Sequence, residues 1–354
     1  MGLTLTVDGD RWRRHLRSVA DATPGLTPVV KGNGYGFTLG RLARKSAWLG
    51  VDTIAVGTYD ELPEVATRFP GDLLVLTPWR PFVADLDPVL ADRVIHTVGR
   101  VEDVDALLAR QPGARLVLEQ LTSMQRHGLS PRDLWTAADR LRAHQRAGTP
   151  ARLEGVALHL PLAQGSHLGE VRRLMNDAVA ADIAGLDTVW VSHLTPDELA
   201  TLRTSYADFT IRPRIGTALW LGDRGALTVT STVLDVHPVE RGDAFGYRAR
   251  TVPKQGHLLV VSGGTAHGIG LEAPTGESSI KARAATLARG GLDAVGFVRS
   301  PFSIDGKQRL FAEPPHMQTS MLFLPSGARV PEIGDQIDVR VRYTATSFDS
   351  IDIS

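Results

Sequence analysis

Between Thr27 and Gly216 the chain alternates short β-branched runs with longer amphipathic stretches, and this alternation restricts the fold more than any other feature of its 354 residues. The runs Pro28–Lys31, Thr53–Val56, Leu73–Leu76, Val94–Thr97, Leu116–Gln120, Gly155–Leu160, Thr188–Ser192 and Phe209–Arg212 read as strands. Helix-period segments lie between them at Leu39–Leu49, Asp60–Arg68, Val101–Arg110, Pro131–Ala147, Leu168–Ala184 and Pro196–Tyr206. Apolar strands spaced by amphipathic helices make parallel βαβ units, whose right-handed crossovers bury both faces of the sheet. Eight such strands within roughly 190 residues fit a closed TIM-type (β/α)8 barrel better than an open sheet.

After Ala226 the helical period fades. Leu227–Val236, His257–Ser262, Leu292–Phe297, Arg309–Ala312, Met321–Leu324 and Gln336–Tyr343 read as strands punctuated by turns at Arg241-Gly242-Asp243 and Ile333-Gly334-Asp335. The expectation is an α/β chain with the barrel over residues 1–228 and a smaller, mostly antiparallel β domain over residues 229–354. Gly9–Ala22 reads as a helix able to pack on either part.

Bulk properties narrow the function. The formal net charge is zero, so no global field points to nucleic acid or an anionic membrane. Cysteine is absent, which excludes disulfides, thiolate nucleophiles and cysteine-ligated zinc. No apolar run approaches a membrane span, and residues 1–8 lack the charged and apolar regions of a secretory leader. A soluble, cytoplasmic protein with a small-molecule substrate is expected, and no metal.

Lys31 ends one of the apolar runs, in Pro28-Val29-Val30-Lys31-Gly32-Asn33-Gly34-Tyr35-Gly36. The chain has five lysines against thirty-four arginines, so surface charge here is ordinarily carried by arginine. An amine, unlike a guanidinium, can lose its proton and condense with a carbonyl. Lys31 is thus either a Schiff-base lysine at the C-terminal end of a barrel strand or a lysine that snorkels from a strand end before a glycine-rich turn.

Barrel enzymes gather their reactive groups at the C-terminal strand ends. Those ends here present Lys31, Glu119, Arg126, His159, Ser192 and Arg214. Each has a plain alternative: Glu119 and Arg126 as an ion pair, His159 as a core histidine, Arg214 as a carboxylate's partner. Together in one mouth they make a site.

The ordered motifs resemble those of the alanine racemase family, the fold-type III pyridoxal-phosphate enzymes built from a barrel and a β domain. Lys31-Gly32-Asn33-Gly34-Tyr35-Gly36 is similar to the family's Lys-Ala-Asn-Ala-Tyr-Gly, implying that Lys31 carries pyridoxal 5'-phosphate and that Tyr35 reaches its phosphate. Glu119-Gln120-Leu121-Thr122-Ser123-Met124-Gln125-Arg126-His127-Gly128 resembles Lys-x-Asp-Thr-Gly-Met-x-Arg-x-Gly, placing Arg126 on the phenolic oxygen. Gly155–His159 resembles the strand that sets a histidine beside the pyridine ring. Arg214-Ile215-Gly216-Thr217-Ala218-Leu219-Trp220 resembles Arg-Pro-Gly-Ile-Ala-Leu-Tyr, with Arg214 on the pyridine nitrogen and the Gly216 and Thr217 amides on the phosphate. Ser192 is a looser match for the phosphate-contacting serine. Glu119 stands where many members carry a lysine converted to a carbamate, so a native carboxylate is expected to orient Arg126.

The departures lie in the β domain. Gly264-Thr265-Ala266-His267-Gly268 resembles Gly-Tyr-Ala-Asp-Gly, so the family's second base, a tyrosine lent across a dimer interface, is replaced by Thr265. A threonine hydroxyl is too weak an acid for that task near neutrality, whereas an imidazole, as at His267, is a side chain suited to proton transfer there. Met321-Leu322 resembles the family's Met-Asp pair without its acid, and no residue up to Ser354 matches the family's gate tyrosine. The resemblance implies a homodimeric racemase-like isomerase, inefficient on alanine, with Lys31 as one base and His267 or water as the other. A one-base enzyme such as a decarboxylase, or a weakly catalytic cofactor-binding relative, are the other readings.

Overall fold

Leu3-Thr4-Leu5-Thr6-Val7 alternates apolar and polar residues and forms a strand, β1 (Leu3–Val7), that leads into helix α1 (Gly9–Asp21). The computed structural model describes residues 2–149, 151–162, 165–271 and 298–354. Packing divides the chain into two units, one of Arg14–Gly222 and one of Met1–Arg13 with Asp223–Ser354. The division falls at Asp223 rather than after residue 228. The first residues go with the β unit because β1 pairs antiparallel with the strand that begins at Leu227, in a register from Leu3–Ser231 to Val7–Leu227.

The larger unit is a closed ring of eight parallel strands in sequence order, β2 (Thr27–Val30), β3 (Thr53–Val56), β4 (Asp72–Val75), β5 (Val94–Val98), β6 (Arg115–Gln120), β7 (Arg152–His159), β8 (Thr188–Ser192) and β9 (Thr210–Ile215). The helices between them are α2 (Leu39–Leu49), α3 (Leu62–Ala66), α4 (Pro88–Ala91), α5 (Val101–Arg110), α6 (Pro131–Arg146), α7 (Leu168–Ala180) and α8 (Pro196–Ser205), and α9 (Thr217–Leu221) follows β9. All eight runs anticipated from sequence lie on these strands. They were visible because a parallel strand covered on both faces must be apolar at successive positions.

Alternation then sorts the side chains. Val29, Ala55, Leu74, Ile95, Val117, Ala157 and Trp190, one from each of β2 to β8, fill the barrel. Val98, Leu116, Leu118, Val156, Leu158, Val189 and Val191 point the other way, into a second core with Leu107, Leu134, Val171, Leu174 and Leu202 of the helices. At the N-terminal end, Arg115 bridges Asp72 and Glu154, each at 2.7 Å. Charge is paired there for structure, which leaves the opposite end for chemistry.

The smaller unit contains β10 (Leu227–Val239), β11 (Ala244–Phe245), β12 (Arg250–Thr251), β13 (Gly256–Ser262), β14 (Arg299–Ile304), β15 (Lys307–Phe311), β16 (Thr319–Pro325), β17 (Gln336–Val339) and β18 (Ser350–Ile353). Its main sheet runs β13-β16-β15-β14-β17-β10-β1-β18, and β10 also pairs with β13, so six strands close on themselves. Only β1 and β18 pair in parallel among the described strands of this unit. The anticipated strand Gln336–Tyr343 stops at Val339, β14 was not anticipated, and the expected run Leu292–Phe297 lies outside the described residues.

Candidate active site

The glycines after Lys31 are there for backbone geometry. Gly32, Gly34 and Gly36 have φ of +61°, +63° and +89°, and the non-glycine residues Tyr35 and Thr38 are left-handed as well, at +56° and +74°. At Gly34 a side chain is excluded twice over, by its φ and because a Cβ would lie 2.7 Å from the Leu39 nitrogen. The loop is held by Glu61, whose Oε1 accepts from Gly32 N at 2.7 Å and whose Oε2 accepts from Gly57 N at 2.6 Å. Beneath it the Trp220 indole N–H of α9 donates to the Val29 carbonyl at 2.8 Å, tying β2 in place two residues before Lys31.

Lys31 leaves the end of β2 as an exposed side chain. Its pKa is lowered, first by desolvation and then by Arg126 and Arg214, with Glu61 opposing them. That raises the share of free amine, the form that attacks a carbonyl. The Tyr35 phenol is buried, and burial with Glu61 nearby pushes its pKa up to about 12, so it stays a hydrogen-bond donor. Its hydroxyl lies directly over Gly216, where a Cβ could not be accommodated. Gly216 and Thr217 open α9, and amides in the first turn of a helix have no intrahelical partner.

Glu119 is 3 % exposed, and burial raises its pKa against the pull of Arg214, Arg126 and Arg80. Its Oε2 has no hydrogen-bond partner among the described residues. Arg126 is exposed on the loop after β6 and makes no bond to Glu119. The guanidinium that acts most strongly on Glu119 is Arg214, contrary to the expected Glu119–Arg126 arrangement. Arg214 is itself buried. Its Nη2 donates to the Leu158 carbonyl at 3.0 Å, its Nε is unpartnered, and desolvation lowers its pKa to about 10 despite Glu119.

His159 ends β7 beside Ser192, which ends β8, and the Ser192 hydroxyl lies 2.8 Å from His159 Nδ1. Desolvation, Arg214, Arg126, His193 and Lys31 hold the His159 pKa near 3, so the ring is neutral. Two neighbours were absent from the sequence reading. One is Glu61, whose capping box with Thr58 is readable locally but whose reach to Gly32 is tertiary. The other is His193, left-handed at φ +66°, with its ring centroid 5.2 Å from that of His159.

Thr265, His267 and Met321 belong to the other unit. Thr265–His267 is a single turn after β13, and both ring nitrogens of His267 are engaged inside that unit. Nδ1 accepts from Gly264 N at 3.2 Å, so Nε2 carries the proton and donates to Asp349 Oδ1 at 3.1 Å. Asp349 Oδ2 in turn accepts from Leu3 N at 2.7 Å. Met321 sits within β16 opposite Val260, whereas the methionine beside the turn is Met317, whose carbonyl accepts from Ala266 N at 2.9 Å.

Fold and strand-end groups define a (β/α)8-barrel protein with an amine, a phenol, two imidazoles and a buried guanidinium on its C-terminal face. A family model described as alanine racemase, N-terminal domain, matches residues 7–220, and the chain belongs to the alanine racemase family. The alanine racemase of Nitratidesulfovibrio vulgaris (strain Miyazaki F) is 27% identical over 274 residues, 72% of each chain. Among solved structures, alanine racemase from D-cycloserine-producing Streptomyces lavendulae superposes with a TM-score of 0.72 at 20% identity, covering 100% of this chain and 97% of that one. Alanine racemase from Bartonella henselae with covalently bound pyridoxal phosphate gives 0.71 at 16% identity, covering 100% and 99%.

Proposed function

We propose that the protein is a pyridoxal 5'-phosphate-dependent amino-acid racemase, a homodimer, that exchanges the Cα proton of an amino acid or derivative other than alanine. The observation that carries this reading is Lys31, an amine directly after the end of β2 whose pKa is lowered by desolvation and then by Arg126 and Arg214. The residues present suit the cofactor. Tyr35 converges on Gly216, where a Cβ would displace its hydroxyl, and Glu119 and Arg214 keep buried polar atoms without partners. Lys31 would hold the aldehyde carbon, Tyr35, Gly216, Thr217 and Ser192 the phosphate, Arg126 the phenolic oxygen, and Arg214 the pyridine nitrogen, with His159 beside the ring. When bound, pyridoxal phosphate supplies a ring that withdraws electrons from Cα.

The remaining work falls to this chain. Lys31 accepts a proton from Cα or returns one to it. Arg214, protonated well above neutral pH even after its pKa falls to about 10, donates a hydrogen bond without giving up its proton. Held against the cofactor, Arg214 would supply a hydrogen bond but no proton, which would favour simple proton exchange over deeper carbanion chemistry. Thr265 and Met321 would stand at the entrance side of this chemistry, lent by a partner subunit as the family resemblance implies.

Pyridoxal phosphate added to the protein is expected to give visible absorbance that borohydride bleaches, with the cofactor then fixed to the Lys31 peptide. In deuterated water, a panel of amino acids should reveal one whose Cα hydrogen exchanges and whose chirality is lost. Exchange with retained chirality would assign a one-base enzyme, evolved carbon dioxide a decarboxylase, and a protein that takes up no cofactor would end the reading. Glu119→Gln is expected to weaken cofactor binding and slow exchange by about 10-fold or more, since it removes the buried charge that acts on Arg214 and Arg126. If both are unchanged, Glu119 has no part in the site.

A further inference from the structure

A two-sided proton exchange needs a second acid/base beside Lys31, and the described structure offers one on the barrel itself. His193 follows Ser192 at the end of β8, while Lys31 follows β2; only β9 lies between those two strands in the ring. The His193 Nδ1 lies 2.6 Å from the carbonyl of Leu160. A carbonyl can only accept, so Nδ1 carries the hydrogen and the neutral ring keeps its lone pair on Nε2. Nε2 makes no hydrogen bond among the described residues, and the residue is exposed at the strand end.

The orientation is built rather than incidental. A histidine at φ +66° pays for a left-handed backbone that surrounding structure must impose. Close by, the Glu198 carboxylate accepts from Ser166 Oγ at 2.8 Å, His167 N at 2.6 Å and Thr195 N at 2.9 Å. The loop after β7 is thereby joined to the turn that begins two residues after His193. The neighbouring His159 meets the Ser192 hydroxyl through its own Nδ1. If the Ser192 hydroxyl donates to its Nδ1 at 2.8 Å, its proton sits on Nε2. The pair then offers one donor and one acceptor at adjacent strand ends, with ring centroids 5.2 Å apart. His267 has no comparable lone pair, because Gly264 N and Asp349 occupy both of its nitrogens.

We propose that His193 Nε2 is the second proton-transfer group of the reaction, working in cis with Lys31 in place of the absent tyrosine. This rests on the reading of Lys31 as the cofactor's anchor. In one direction the Cα–H bond breaks as a His193 Nε2–H bond forms, and the Lys31 ammonium, protonated by the incoming substrate's own ammonium, gives a proton to the opposite face of the same carbon; the imidazolium then releases its proton to solvent. The reverse direction exchanges the two roles. The electron pair released at Cα is recovered when the new C–H bond forms, so no oxidant or reductant is required.

His193→Asn is the decisive variant, because asparagine accepts left-handed backbone and its amide can still donate to Leu160. With the holoenzyme and an amino acid that the native protein racemises, the variant is expected to keep its visible absorbance and its borohydride trapping at Lys31. Racemisation should fall by about 100-fold or more, while Cα exchange without inversion persists for the enantiomer served by Lys31. In 15N-histidine-labelled protein without cofactor, His193 should show the Nδ1–H form with an unprotonated Nε2. Native racemisation in His193→Asn, an Nε2–H form of His193, or failure of the native protein to racemise any amino acid would each overturn the proposal. Loss of trapping at Lys31 in the native protein would instead remove the reading on which it rests. If His193→Asn does not fold, His193→Gln and the spectrum of the native protein decide the matter in the same terms.

Discussion

Lys31→Ala is expected to yield a folded, colourless protein whose Cα proton exchange is slower by about 10,000-fold, the upper range for losing a positioned acid/base. Folding should survive because the side chain is exposed, and surface replacements of this kind stay within ~0.5 kcal/mol. The loop itself is held by Glu61 and by its left-handed glycines, which the substitution leaves alone. Lys31→Arg separates charge from nucleophilicity: it keeps a cation among Glu61, Arg126 and Arg214 but cannot condense with an aldehyde. Both variants should lose borohydride trapping, and only the native protein should show a loading rate that rises with pH as the amine deprotonates. Because Lys31 titrates below an ordinary lysine, that rise should level off at lower pH than for a free lysine side chain. Retained visible absorbance in Lys31→Ala, with trapping at another residue, would move the anchor elsewhere.

The barrel could be read from its sequence because burial on two faces writes itself into successive positions. Val29-Val30, Ile54-Ala55-Val56 and Leu73-Leu74-Val75 are apolar throughout, each residue serving either the interior or the helical layer. β1 carried an equally clear signal in Leu3-Thr4-Leu5-Thr6-Val7, but its partners are Leu227–Ser231 and Ser350–Ile353, too far along the chain for pairing to be inferred locally. The grouping of Met1–Arg13 with Asp223–Ser354 rests on the same long-range pairing.

Two residues at the strand ends, Glu61 and His193, were not legible locally. Glu61 caps its own helix turn, and nothing local distinguishes that from a surface cap until its carboxylate is seen on Gly32. His193 was hidden by its backbone. Its place before the Thr195–Glu198 capping box marks a strand end, yet a positive φ at a histidine is imposed by packing and is not encoded by the residue. Met317 and Met321 illustrate another limit, since two methionines four residues apart match a short motif about equally well. Only the strand ladder, with Gly263 N donating to Gln318 O and Ala266 N to Met317 O, shows which one adjoins the turn.

Arg214→Gln is expected to reduce the rate by about 100-fold, the usual cost of removing one preorganised donor, and to change how stability depends on pH. Glu119 and Arg214 are both nearly inaccessible, and Arg214 is the strongest of the guanidiniums that offset the burial of Glu119. Without that cation the Glu119 pKa, already raised by burial, should rise further. A carboxyl whose folded pKa exceeds its unfolded one binds its proton more tightly when folded. Its stabilising contribution is therefore complete below the ordinary carboxylate range and is lost as pH climbs through the folded value. In cofactor-free Arg214→Gln, unfolding free energy should accordingly decline with rising pH above that range, with a slope that approaches ~1.4 kcal/mol per pH unit for one proton. The native protein should decline less steeply over the same interval, because Arg214 favours the ionised form. Adding Glu119→Gln to Arg214→Gln removes the titrating group and should flatten the curve. A steep decline that survives in the double variant would place its origin outside this pair, whereas its disappearance would make Glu119 and Arg214 one buried electrostatic unit beneath the site.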